Sequence, residues 1–178
     1  MRTRSLSCFW KASEGLAAVE FAFIAPVMIA MFFGALEVCN ALICREKVAT
    51  VASSTSDLVS QDATITGAQF TDVFAAANAI IYPYPSAGAQ IIVTSIKEDP
   101  KHAGKYIVDW SVAQNATAYA AGTSMTVPTG LITTGDSVIF SEVTYTYQPL
   151  TSIFTGSITI TDSFYTRPRQ SATVIYSP

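Results

Sequence analysis

One run of apolar residues, Leu16 to Cys44, constrains this chain more than any other feature. Its 29 residues would make a helix of about 44 Å at about 1.5 Å per residue, longer than the roughly 30 Å hydrocarbon core of a bilayer. Two charges interrupt it, Glu20 near its start and Glu37 toward its end. A carboxylate at mid-bilayer costs about 2.5–3.5 kcal/mol even on insertion scales, so Glu20 needs a purpose there. Ala18, Ala22, Pro26, Ala30 and Gly34 fall at every fourth position. They form a drifting stripe of small residues suited to close helix packing, with Ala30 and Gly34 as a small-xxx-small pair. Pro26 has no N–H and leaves the Ala22 carbonyl without its helical donor, which predicts a kink or a locally unwound turn.

The whole chain has 178 residues, 50% hydrophobic and only 13% charged, which fits one membrane span plus one modest domain. Arg2, Arg4 and Lys11 precede the run, whereas Arg45-Glu46-Lys47 after it is nearly balanced. By the positive-inside rule the N-terminus is cytoplasmic and the long C-terminal part lies across the membrane. Residues 48–178 carry five basic and nine acidic groups, a balance that argues against a nucleic-acid partner. The three cysteines, Cys8, Cys39 and Cys44, offer no disulfide framework. Cys39 and Cys44 would point about 140° apart on one helix. A cleaved secretory signal fits poorly, because the apolar core is too long and Glu37 and Asn40 sit where a cut near Ala35 or Ala41 would fall.

Read in order, residues 1–15 form a cytoplasmic leader, 16–44 a transmembrane helix, and 45–178 an extracytoplasmic domain. Residues 45–61 lack Gly and Pro and place Val48, Val51, Ala52, Thr55, Leu58 and Val59 on one face, so the membrane helix runs on as an amphipathic extension. Thr66-Gly67-Ala68-Gln69 is a capping-box pattern that introduces a second helix over 68–80, stopped by Tyr82-Pro83-Tyr84-Pro85. From 90 to 176 the period changes to alternation, with strands expected at 90–97, 105–113, 136–147 and 157–165. Tyr106, Val108, Trp110 and Val112 are expected to share the core face of the second strand, and Ala116–Ala121 to form a helical turn within a loop. The order predicts an α+β fold, with one N-terminal transmembrane helix extending into a domain built on a roughly four-stranded antiparallel sheet.

No catalytic constellation emerges. His102 lies in a polar turn beside Lys101 without a second histidine or cysteine near it, and nucleophile-elbow, phosphate-loop and dinucleotide motifs are missing. No catalytic residue, metal or cofactor is therefore assigned. Asn115-Ala116-Thr117 fits a glycosylation sequon. Tyr119, Tyr145, Tyr147, Phe154, Phe164 and Tyr165 could line an interaction surface or fill the sheet core.

The arrangement Gly15, then four residues, then Glu20-Phe21-Ala22 after a short basic tail resembles type IV pilin and pseudopilin precursors. The similarity is closer to the TadE/TadG-like minor pseudopilins of tight-adherence (Flp) pilus systems: Gly15, Val19, Glu20, Phe21, Ala22 and Pro26 match their pattern, as does Phe33-Gly34-Ala35-Leu36-Glu37. Ser163 to Arg169 also looks like that branch's closing strand. The resemblance implies a pilin-like domain and cleavage by a prepilin peptidase between Gly15 and Leu16. It implies that Glu20, then the fifth residue, accepts a neighbour's new α-amino group, with Glu20 and Phe21 setting subunit register. Partners would be other pilins or pseudopilins and the assembly proteins of the bacterial inner membrane. The competing expectation is an uncleaved single-pass protein whose extracytoplasmic domain binds a ligand or an envelope partner.

Overall fold

A computed structural model describes residues 15–133, 135–149 and 156–178. The expected leader, with Cys8, and the aromatic Phe154 lie outside the described residues. The dominant element is helix α1, Leu16–Ser60, which continues through Pro26 without an unwound turn. From Ala35 to Ser60 it contains neither Gly nor Pro, so nothing local ends it at the edge of the apolar run. Strand β1, Thr64–Thr66, leads into α2, Gly67–Ile81. The capping box is formed: Gln69 N donates to Thr66 Oγ1 at 3.3 Å and Thr66 N donates to Gln69 Oε1 at 2.8 Å.

The remaining strands are β2 (Ala89–Glu98), β3 (Tyr106–Gln114), β4 (Ser124–Met125), β5 (Ser137–Tyr147), β6 (Ile158–Thr166) and β7 (Ile175–Ser177). An antiparallel sheet has the order β4-β3-β2-β5-β6, and β1 pairs with β7 in a separate parallel pair. The α+β architecture is as expected, but the main sheet has five strands, not four. The added strand, β4, is two residues long, too short for alternation to show in sequence. The helical turn expected at Ala116–Ala121 is replaced by irregular backbone. Asn115 takes a left-handed φ of 55°, and Gly122 and Thr123 are drawn back to β3 by hydrogen bonds with Val108.

A β-bulge corrects the face assigned to β3. Ser95 pairs with Trp110 but Ile96 pairs with Val108, leaving Asp109 as the extra residue. Because one inserted residue reverses the alternation, Trp110 and Val112 face one way, and Tyr106 and Val108 the other. The first face, with α1 and α2, encloses the main core around Val48, Val51, Val59, Phe70, Ile91, Val93, Ile139 and Val143. Phe70 is edge-on to both Trp110 and Tyr176, and burying a side chain of its size contributes about 1.5–3 kcal/mol. The opposite face carries a smaller cluster in which Val127 and Ile132 cover Ile96, Val138 and Phe140. Arg167 fixes that cover, donating to the carbonyls of Gly130 and Leu131 at 3.0 and 2.9 Å.

Helix and sheet run alongside each other, which gives the domain two distinct ends. Tyr147, at the end of β5, meets Glu37 of α1. Thr55 meets Ser141 at 2.6 Å, Ser56 meets Thr166 at 3.0 Å, and Arg169 N donates to the Ser60 carbonyl at 2.9 Å. The turn between β2 and β3 is therefore at the end farthest from Leu16. There His102 Nδ1 lies 2.7 Å from Asp99 Oδ2. The Lys101 N–H donates to Asp99 and, together with His102, holds its carboxyl below the usual range.

Candidate functional site

No residue from Leu16 to Leu36 is buried. Phe21, Phe23, Met31 and Phe32 are among those standing free of the domain, Phe23 at 78% exposure. In water, so much apolar surface on one helix has no counterpart in a stable fold, and α1 is the one described helix long and apolar enough to cross a membrane, with a mean hydropathy of 2.2 over an 18-residue window. The 21 residues from Leu16 to Leu36 span about 32 Å, close to the hydrocarbon thickness.

The sequence-predicted positions all lie along this free section or at its ends. Gly15 is the residue before the helix, at φ −82° and ψ −18°, a conformation open to any residue. A Cβ built on it meets nothing within 4 Å, and the same is true of Gly34. The described residues place no demand for glycine at either position. Glu20 is exposed at the fifth helical position, beside exposed Phe21. Ala18, Ala22 and Pro26 are exposed and Ala30 and Gly34 half-buried, so the small-residue stripe is not covered by the described residues.

Glu37 is different. It is 7% exposed and accepts a hydrogen bond from Tyr147 Oη at 2.7 Å. Four further contacts make a polar and aromatic collar around the same part of α1. Tyr84 Oη donates to the Asn40 carbonyl at 2.9 Å, and the Tyr84 ring is edge-on to Tyr145 and Tyr147. Lys47 Nζ donates to the Ile80 carbonyl at 2.9 Å. Burial, followed by the Glu37 carboxylate, pushes the Tyr147 phenol far above its ordinary range; burial also raises Tyr84 and Tyr145. Gly88 lets the chain pass close to this collar, since a Cβ there would sit 3.2 Å from the Tyr145 ring. The sequence gives Glu37 as an awkward charge in an apolar run, but its partner is 110 residues away, beyond the reach of any local pattern.

Of the six aromatics considered together, Tyr145 and Tyr147 are buried in the core, and Tyr165 stacks on Phe140 with ring centres 4.6 Å apart. Tyr119 donates to Glu142 at 2.8 Å, while Phe164 is exposed. Asn115, the sequon asparagine, uses its side-chain amide to donate to the Ala89 carbonyl at 2.9 Å.

The exposed helix, its leading glycine and its buried second glutamate coincide with a known sequence family. Residues 15–56 match the TadE-like protein family. The TadE-like stretch opens at Gly15 and closes one turn before the end of α1, so it contains Glu20, the small-residue stripe and Glu37 but none of the sheet. No curated protein and no solved structure matches the chain.

Proposed function

We propose that this protein is a structural, non-enzymatic pseudopilin or assembly component of a Tad-type pilus or a related secretion system. In this reading it is held in the bacterial inner membrane by the free section of α1, with its N-terminus cytoplasmic and its domain periplasmic. The supporting observation is that the TadE-like match begins at Gly15, just before the apolar helix and where the described residues place no demand for glycine. A glycine that neither packing nor backbone geometry requires is available as a recognition element for a prepilin peptidase cutting before Leu16.

Cleavage there would place a new α-amino group at the head of the helix. Glu20 of a neighbouring subunit could then pair with it, each group offsetting the cost of the other's charge in lipid. The stripe Ala18, Ala22, Pro26, Ala30 and Gly34 would allow such helices to approach closely. Partners under this proposal are the peptidase, other pilins or pseudopilins, and inner-membrane assembly proteins. Co-expression with a prepilin peptidase followed by N-terminal sequencing tests it. A chain starting at Leu16, lost on Gly15→Ala, is expected. Recovery of an uncut chain from both would return the protein to the class of uncleaved single-pass anchors.

A further inference from the structure

The distribution of charge over the domain is not used by the assembly reading. Among the described residues, 73–96, 110–133, 143–149 and 156–161 contain no Asp, Glu, Lys or Arg. These stretches include the Tyr82-to-Gly88 connection, the start of β2, the end of β3, the end of β5 and the start of β6. All of these belong to the end of the domain from which the free section of α1 emerges, because Tyr147 reaches Glu37, Tyr84 reaches Asn40 and Asn115 bonds to Ala89. Ionic groups gather instead at the far end, in Lys97, Glu98, Asp99, Lys101, Lys105, Asp109, Asp136, Arg167 and Arg169. The uncharged end also leaves aromatic and aliphatic surface in solvent: Tyr82 is 75% exposed and Ile158, the register partner of Tyr147, is 38% exposed.

We infer that this end of the domain is a membrane-docking face that rests on the bilayer surface, with Tyr82 anchored among the lipid headgroups. The inference builds on the proposal that Leu16 to Leu36 spans the hydrocarbon. Asn40, which receives the Tyr84 hydroxyl, lies four residues past Leu36, about 6 Å along the helix axis. The headgroup layer on each side of a bilayer is roughly 5–8 Å thick. The Tyr84 hydroxyl therefore falls within that layer, and Tyr82 is two residues away on the same connection. Tyrosine favours this zone because its ring is apolar and its hydroxyl is polar. The ionic groups at this end, Glu37 and Lys47, are turned inward onto Tyr147 and the Ile80 carbonyl, so bringing the face against headgroups avoids the desolvation cost that outward ionic side chains would impose. Arg45 and Glu46, the nearest exposed charges on α1, stand about 14 Å past Leu36, clear of the layer. The occupant is lipid and not a second subunit, since the face adjoins the end of the section proposed to span the hydrocarbon and Tyr84 ties it to α1 within about 6 Å of that end.

The full chain, reconstituted in phosphatidylcholine nanodiscs, tests this by tryptophan quenching against the background of Trp10 and Trp110. Tyr82→Trp should be quenched by headgroup-spin-labelled lipid at least about twofold more than Lys101→Trp at the far end, as expected for an interfacial aromatic. Phe32→Trp, quenched by acyl-chain-labelled lipid, reports the span itself. Equal, weak quenching of Tyr82→Trp and Lys101→Trp, with Phe32→Trp still quenched, overturns the docking face and leaves the span intact. Loss of quenching at Phe32→Trp overturns both. Shielding of the Tyr82→Trp site from aqueous quencher without lipid quenching, increasing with protein per disc, assigns the face to a neighbouring copy and overturns the proposal.

Discussion

Tyr147 at the end of β5 donates its hydroxyl to the Glu37 carboxylate of α1 at 2.7 Å, joining the last residue of a sheet strand to the first buried residue of the long helix. Below this bond no described residue buries the helix; above it, helix and sheet share one core. The contact marks where the free apolar section of α1 becomes part of a folded domain.

Tyr147→Phe should therefore lower the unfolding free energy by about 1–3 kcal/mol, the range for deleting one partner of a buried hydrogen bond. Glu37→Gln keeps an acceptor and should cost less. Denaturant titration in detergent micelles, followed by near-ultraviolet circular dichroism, reads both. A Tyr147→Phe domain as stable as the parent would show that the bond only decorates the junction.

The tyrosines also set an alkaline limit. Tyr84, Tyr145 and Tyr147 have folded-state pKa values raised above their ordinary 10.0, chiefly by burial. The folded state therefore holds phenolic protons that the unfolded state releases. Their contribution to stability is complete below pH 10.0 and is lost as pH rises through the folded values. Stability should be flat approaching pH 10 and then fall, with tyrosinate absorbance from these residues appearing together with unfolding. Full ionisation of all tyrosines near pH 10 in the intact fold would contradict this.

Thr55 and Ser141 meet at 2.6 Å where α1 crosses β5, and both are fully buried. Thr55→Val keeps the shape but strands the serine hydroxyl, so it should destabilise by about 1–3 kcal/mol. Adding Ser141→Ala should recover part of that loss, because two apolar groups then face each other. A double-mutant cycle measures the coupling, and strictly additive losses would deny it.

These relationships differ in how far the sequence announces them. Leu16 to Ser60 reads as one helix because no Gly or Pro interrupts its outer half, and Thr66 with Gln69 announces α2 because a capping box is local chemistry. The positions of β2, β3, β5 and β6 follow from alternation bounded by turn residues. What stays hidden is non-local or very short. The bulge at Asp109 depends on pairing with β2, β4 has two residues, and the β1–β7 pair joins three-residue strands more than a hundred residues apart. Among the candidate site residues, Gly15 and Glu20 are singled out by the resemblance to pilin precursors, whereas the burial of Glu37 is settled by a tyrosine that no local pattern links to it.

Glu20→Ala should leave insertion unchanged and reduce incorporation into assemblies, since the exposed carboxylate makes no contribution to this chain's core. Carbonate extraction of membranes, compared with recovery in sheared pili or in cross-linked complexes, separates the two effects. Equal incorporation of the variant would reduce Glu20 to an interfacial side chain.

Arg167→Ala removes two donors to the carbonyls of the segment covering the smaller core. Arg167 is exposed, so the global loss should stay below about 1 kcal/mol, while local opening becomes easier. Hydrogen exchange at Leu131 and Ile132 should accelerate more than exchange in β2. Uniform acceleration across the domain would mean that the segment does not open on its own.

The unbroken course of α1 from Leu16 to Ser60 has a mechanical consequence. Its 45 residues form a rod of about 68 Å, and from Glu37 onward the sheet is clamped along its side. A pull applied to the free, apolar section is delivered as shear along the Thr55–Ser141 and Ser56–Thr166 contacts, with no Gly or Pro between Ala35 and Ser60 to absorb it. From Glu37 to Ser60, helix and domain must rise, tilt or rotate as one piston.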